Sequence, residues 1–149
     1  MPGALPYLAL GDSYTIGEAV PEAGRWPVQL AAGLRAGGIA LDDPRIIATT
    51  GWSTDELSAA MDAAEPLGHH EFVSLLIGVN NQYRGWNVGE YRVEFVDLLE
   101  RAIALAGDRL RTLGTRQRRQ QLGGDRLGRN LLLDVGLDVG QRHRIALAG

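Results

Sequence analysis

Gly11, Asp12 and Ser13 follow directly on the apolar run Tyr7–Leu10, and Gly17 stands four residues beyond the serine. A serine so placed ends a strand. Its hydroxyl comes to the C-terminal edge of a parallel sheet, where open α/β sheets carry their ligand crevices and helix-start N–H groups stabilise negative charge. Two further pieces fall in matching positions: Gly51, in Thr49-Thr50-Gly51-Trp52 after the next strand, and Gly78-Val79-Asn80-Asn81 after the third. Acyl transfer through a serine needs a nucleophile, donors aimed at the developing oxyanion, and a base to take the hydroxyl proton. Ser13 is the candidate nucleophile. Its own backbone N–H, that of Gly51 and the side-chain amide of Asn80 would converge on the oxyanion from the ends of three strands. Glycine at 51 leaves room for the acyl group, and asparagine at 80 supplies a donor without a charge.

Taken together, these blocks resemble the SGNH hydrolases, the GDSL esterase/lipase family, over roughly residues 7–107. The resemblance implies Ser13 as nucleophile, an oxyanion hole of Ser13, Gly51 and Asn80, a small-molecule ester as substrate, and no cofactor or metal. A Gly-Asp-Ser alone is more often an ordinary βα turn with a helix cap. Three blocks in order on the right elements reverse that weighting. Asn81 stands where the family most often has aspartate, an exchange expected to affect loop structure more than chemistry. The family's closing Asp-x-x-His, source of the base, has no counterpart in this chain. His69 and His70 precede strand three, about 20 Å from its catalytic end for a strand of this length. His143 is then the remaining candidate base, with Asp138 or Asp134 as its orienter. Loss of a triad's base leaves the residual catalysis of the oxyanion hole and binding, so the expectation is an impaired serine ester hydrolase. The competing reading is a non-catalytic, degenerate member that binds a ligand or partner in the remaining crevice.

The elements that must carry these residues are legible from periodicity. Apolar runs alternate with helical patterns through the first two-thirds of the chain, which predicts βα units and a parallel sheet. The expected fold class is α/β, a doubly wound, flavodoxin-like three-layer α/β/α arrangement of the SGNH hydrolase type, C-terminally incomplete. Strands are expected at Tyr7–Leu10, Arg45–Thr49 and Phe72–Ile77. Trp26, Leu30 and Leu34 space a first helix, opened by Pro27 and closed by Gly37-Gly38. Ser53 and Glu56 make the S-x-x-E capping box of a second, striped by Leu57, Ala60, Met61 and Ala64. After a polar loop from Asn80 to Asn87, a third helix runs from Val88 through Tyr91, Phe95, Leu98, Leu99, Ala102 and Ala106, with Asp97 and Arg101 spaced for an i,i+4 pair. Trp52, Tyr83, Arg84 and Trp86 are candidates to line an acyl or sugar pocket; for the last three a solvated loop is the plainer expectation.

Composition bounds the rest. At 149 residues and 45% apolar content the chain suits one packed domain. It has no cysteine, so disulfides and thiolate metal sites are excluded. No signal peptide or transmembrane-length stretch is read at the start or elsewhere, which favours the cytoplasm. Residues 1–108 carry six arginines against fifteen acids, net −9, whereas residues 109–149 carry nine against three, net +6. The last segment has seven glycines and no aromatic residue, and only Leu131–Val135 resembles the fourth strand due there. The organisation read from this is an N-terminal SGNH part, 1–107, and an atypical Arg/Gly-rich tail, 108–149. A shift of reading frame near Gly107 or Asp108 would account together for the lost aromatics, lost alternation, charge reversal and missing block. Loss of later elements is expected to uncover Ile46, Val73 and Leu75 and to favour aggregation. The basic tail lacks stacking aromatics and a helical basic face, which argues against nucleic acid. His69-His70 has no third ligand in view for a metal. A flavodoxin-like flavin or nucleotide binder would share the sheet but needs a phosphate-cradling glycine loop that is absent.

Overall fold

The computed structural model describes residues 3–107 and 146–148. Strand β1 (Tyr7–Gly11) leads into a one-turn helix α1 (Ser13–Ile16), a 3₁₀ turn (Glu22–Gly24) and helix α2 (Trp26–Ala36). Strand β2 (Arg45–Ala48), helix α3 (Thr54–Ala63), strand β3 (Phe72–Leu76), helix α4 (Val79–Tyr83), helix α5 (Val88–Leu105) and strand β4 (Ala146–Ala148) follow. The strands and helices expected before residue 107 are present with ends moved by a residue or two. The exception is the polar loop after Asn80. Its first part is helical, because Gly78 and Asn80 carbonyls accept from the N–H groups of Gln82 and Arg84.

The sheet order is β2-β1-β3-β4. β1 runs parallel to both β2 and β3, and β4 is antiparallel to β3, a common arrangement at the margin of an otherwise parallel sheet. In β1 successive side chains alternate between the two faces. Leu8 and Leu10 join Val73, Leu75 and Ile77 under Leu57 and Met61 of α3 and Phe95, Leu98, Leu99 and Ala102 of α5. Tyr7 and Ala9 turn the other way, onto Ala31, Leu30 and Leu34 of α2 with Leu41. Helices on both faces make this the doubly wound α/β class expected.

The expected exposure of the sheet is corrected. Val73 and Leu75 are buried, at 0% and 1% exposure, and Ile46 is half-buried against the α2 side. α3 and α5 pack over Val73 and Leu75, and β4 lies alongside, with Val73 opposite Ala148 and Leu75 opposite Ala146. A second correction concerns Asp97 and Arg101. Instead of pairing along α5, Arg101 reaches α3, donating to the carbonyl and hydroxyl of Ser58 and, at 2.6 Å, to Asp62 Oδ1. Three acceptors on a packed neighbour outweigh an exposed i,i+4 pair worth about 0.3–0.5 kcal/mol. Among the described residues no helix is long and apolar enough to cross a membrane.

Candidate active site

Register brings the three blocks to one edge. Gly11 of β1 lies opposite Ala48 of β2 on one side and Leu76 of β3 on the other, so the strands end level, about 4.8 Å apart. Ser13 lies two residues past that line, Gly51 three and Asn80 four. Because β1 is the central of the three parallel strands, the Ser13 turn is flanked by the other two. His69 and His70 are at the opposite edge, just before Phe72, which pairs with Tyr7 at the start of β1.

Each turn has a local cause. Asp12, 1% exposed, caps α1. Its carboxylate accepts from Tyr14 N–H at 3.0 Å, and its carbonyl accepts from Thr15 and Ile16. The N–H of Ser13 is outside this set. Burial pushes the Asp12 carboxyl up, partly offset by the Tyr14 hydrogen bond. Gly11 must be glycine: a Cβ there would stand 2.1 Å from Thr15 Oγ1 and 2.6 Å from the Leu76 carbonyl. Gly51 is required as glycine by its backbone as well. Its φ of +87° lies in the left-handed region, while the space where a Cβ would project is open.

The third turn is tied to the second. Asn80 Nδ2 donates to the Trp52 carbonyl at 2.8 Å, and an amide nitrogen carries a second hydrogen. Asn81 is buried at 2% exposure. Its Oδ1 accepts from Thr54 N–H at 3.1 Å and its Nδ2 donates to Thr54 Oγ1 at 2.7 Å, while Thr54 Oγ1 donates in turn to Glu94. Asparagine at 81 therefore both accepts and donates at the first residue of α3, which an ionised aspartate cannot do. Trp52 is half-buried and packs on the main core; Tyr83 is 81% exposed.

Arg84, expected in a solvated loop, is instead a bridge. It donates to Ser53 Oγ at 3.1 Å, the Gly51 carbonyl at 2.7 Å and Glu56 Oε2 at 2.9 Å. Glu56 also accepts from Ser53 N–H at 2.9 Å, completing the capping box. That backbone hydrogen bond, then the Ser53 hydroxyl and Arg84, hold the Glu56 carboxyl below its ordinary range. No sequence signal pointed to these bridges, since Arg84 and its partners are 28 to 33 positions apart.

At the far edge, His70 Nε2 lies 3.1 Å from the Leu67 carbonyl, which requires the Nε2–H tautomer. Burial lowers its pKa. His69 Nε2 lies 3.5 Å from Glu71 Oε1, and among the described residues no group of three or more metal-ligating side chains occurs. His143, Asp138, Asp134 and Leu131–Val135 lie outside the described residues.

A model of the GDSL-like lipase/acylhydrolase family matches residues 9–139. The chain belongs to that family. Among solved structures it is similar to AlinE4, an SGNH-hydrolase family esterase, at 26% identity and a TM-score of 0.58, over 68% of this chain and 54% of that one. TesA is similar at 19% identity and a TM-score of 0.58, over 68% and 56%. The esterase EstA of Pseudoalteromonas sp. gives 19%, 0.52, 68% and 55%. These last two speak to the fold alone. The chain thus spans a little over half the length of these GDSL-type relatives, and no curated protein matches it.

Proposed function

We propose that the chain is a serine ester hydrolase acting on a small-molecule ester, with Ser13 as nucleophile. The observation that carries this is the common level of the Ser13, Gly51 and Asn80 turns at one sheet edge in a chain of the GDSL-like family. In this mechanism Ser13 Oγ attacks the carbonyl carbon and a tetrahedral oxyanion forms. The N–H groups of Ser13 and Gly51 and one amide hydrogen of Asn80 stabilise it, the other amide hydrogen being held by Trp52 O. Collapse expels the alcohol and leaves an acyl-serine, which water then hydrolyses. The family's closing Asp-x-x-His being absent, the candidate to take the hydroxyl proton is His143, with Asp138 or Asp134 as its orienter, and turnover is impaired accordingly.

A short-chain p-nitrophenyl ester assayed with the wild type and the Ser13→Ala and His143→Ala variants tests the reading. Ser13→Ala is expected to remove the acyl-serine route and lower turnover to at most the residual catalysis of the oxyanion hole and binding. His143→Ala is expected to lower kcat, as loss of the remaining candidate base. Turnover unaffected by Ser13→Ala refutes the nucleophile. No turnover by the wild type, with saturable ester binding, favours the ligand-binding reading instead.

A further inference from the structure

We propose that Arg84 is a positioning residue for the oxyanion hole, holding the Gly51 peptide in place from the neighbouring turn. This rests on the reading of Gly51 as an oxyanion donor. Besides Arg84, the Gly51 turn is closed by one long backbone hydrogen bond, Trp52 N–H to the Thr49 carbonyl at 3.3 Å, and by the seat of Trp52 on the core and Asn80. Thr49 and Thr50 before it are exposed, Gly51 is glycine with a left-handed φ, and no side chain is packed where its Cβ would be. A glycine of this kind has wide backbone freedom, whereas an oxyanion donor works only when its N–H is fixed in advance.

Arg84 removes that freedom. Its planar fork grips the Gly51 carbonyl at 2.7 Å and, at the N-cap and third residue of α3, the Ser53 hydroxyl and the Glu56 carboxylate. Gly51 is thereby referred to the start of α3, itself seated by the buried Asn81–Thr54 pair. Arg84 also follows directly on the helix that carries Asn80, and Asn80 donates to Trp52 O. One guanidinium thus couples two of the three donors. A lysine ammonium would ion-pair with Glu56 but lacks the rigid fork needed to span all three acceptors.

The test is the reaction of the full chain with diethyl p-nitrophenyl phosphate. In that reaction a Ser13 Oγ–P bond forms, p-nitrophenolate leaves and the hydroxyl proton passes to the base or buffer. Its rate at saturation and its half-saturating concentration are measured separately, with Ser13→Ala as the control. Arg84→Met and Arg84→Lys are each expected to lower the saturating rate by about tenfold or more, as for a misplaced donor, with the half-saturating concentration within about threefold of wild type. A second readout needs no reactivity: the ¹⁵N order parameter of Gly51 is expected to fall from about 0.85 to below about 0.6 in Arg84→Met. Wild-type rates in either variant, or a change confined to the half-saturating concentration, overturn the assignment; so does an unchanged Gly51 order parameter. If wild-type Ser13 is not labelled, the reading of Ser13 as nucleophile falls, and the order parameter alone decides whether Arg84 holds Gly51.

Discussion

Replacing Asn81 with alanine removes the joint between α4 and α3, and its cost can be worked from the contacts. Thr54 is fully buried and Asn81 is 2% exposed, so water cannot replace what is lost. Truncation leaves the Thr54 N–H without its 3.1 Å acceptor and Thr54 Oγ1 without its 2.7 Å donor. An orphaned buried polar group costs about 1–3 kcal/mol. Thr54 Oγ1 still donates to Glu94, so the second loss is the smaller, and the expected total is about 2–4 kcal/mol. At about 4 °C per kcal/mol for a domain of this size, Tm should fall by roughly 8–16 °C. Urea unfolding followed by tryptophan fluorescence should show a lower midpoint at unchanged slope. Asn81→Asp refines the test. The carboxylate keeps the acceptor for Thr54 N–H but loses the donor, and its charge would be buried one hydroxyl away from Glu94, which raises its pKa. A raised carboxyl pKa destabilises the fold above that pKa and is relieved as protonation restores a donor, so the deficit against wild type should shrink between about pH 7 and pH 4. A loss under about 0.5 kcal/mol for Asn81→Ala, or an Asn81→Asp deficit that deepens on acidification, refutes the account.

Two other predictions test the turns and the electrostatics. Gly51→Ala should cost about 1–2 kcal/mol, the strain of a left-handed φ with open space around the new methyl. Gly78→Ala should cost clearly more in the same urea experiment, because φ is +131° and the methyl would meet the Tyr91 ring at 2.7 Å. Wild-type stability should fall in two stages on acidification. His70, lowered by burial, stabilises the fold above its unfolded value of about 6.5 and loses that contribution as pH drops below it. Glu56, lowered by Ser53 and Arg84, stabilises above about 4.3 and loses its contribution as pH falls through the folded pKa. His70→Asn should flatten the first stage and Glu56→Gln the second in midpoints measured against pH.

What the sequence by itself determined is local or periodic. Alternating apolar runs named the βα units, Ser53 and Glu56 named the start of α3, and the spacing of Leu98, Leu99 and Ala102 named the buried side of α5. Each of these signals acts within a strand or a few helical turns, where backbone geometry dictates which side chains share a face. Three short blocks, each at a strand end, were enough to read Ser13, Gly51 and Asn80 as one candidate site. Only the tertiary structure decided what lies beside what. The central position of β1 puts Ser13 between the other two turns, and α3 with α5 closes over Val73 and Leu75. Side chains 27 to 40 residues apart meet as Asn81, Thr54 and Glu94, and Arg84 reaches back across 33 to the Gly51 carbonyl. Such partners carry no local pattern, because a hydrogen bond of about 2.9 Å is set by where packing places two backbones. The same distinction explains Gly51: the residue was legible as a member of the site, but the left-handed turn that demands glycine there is a property of the folded chain.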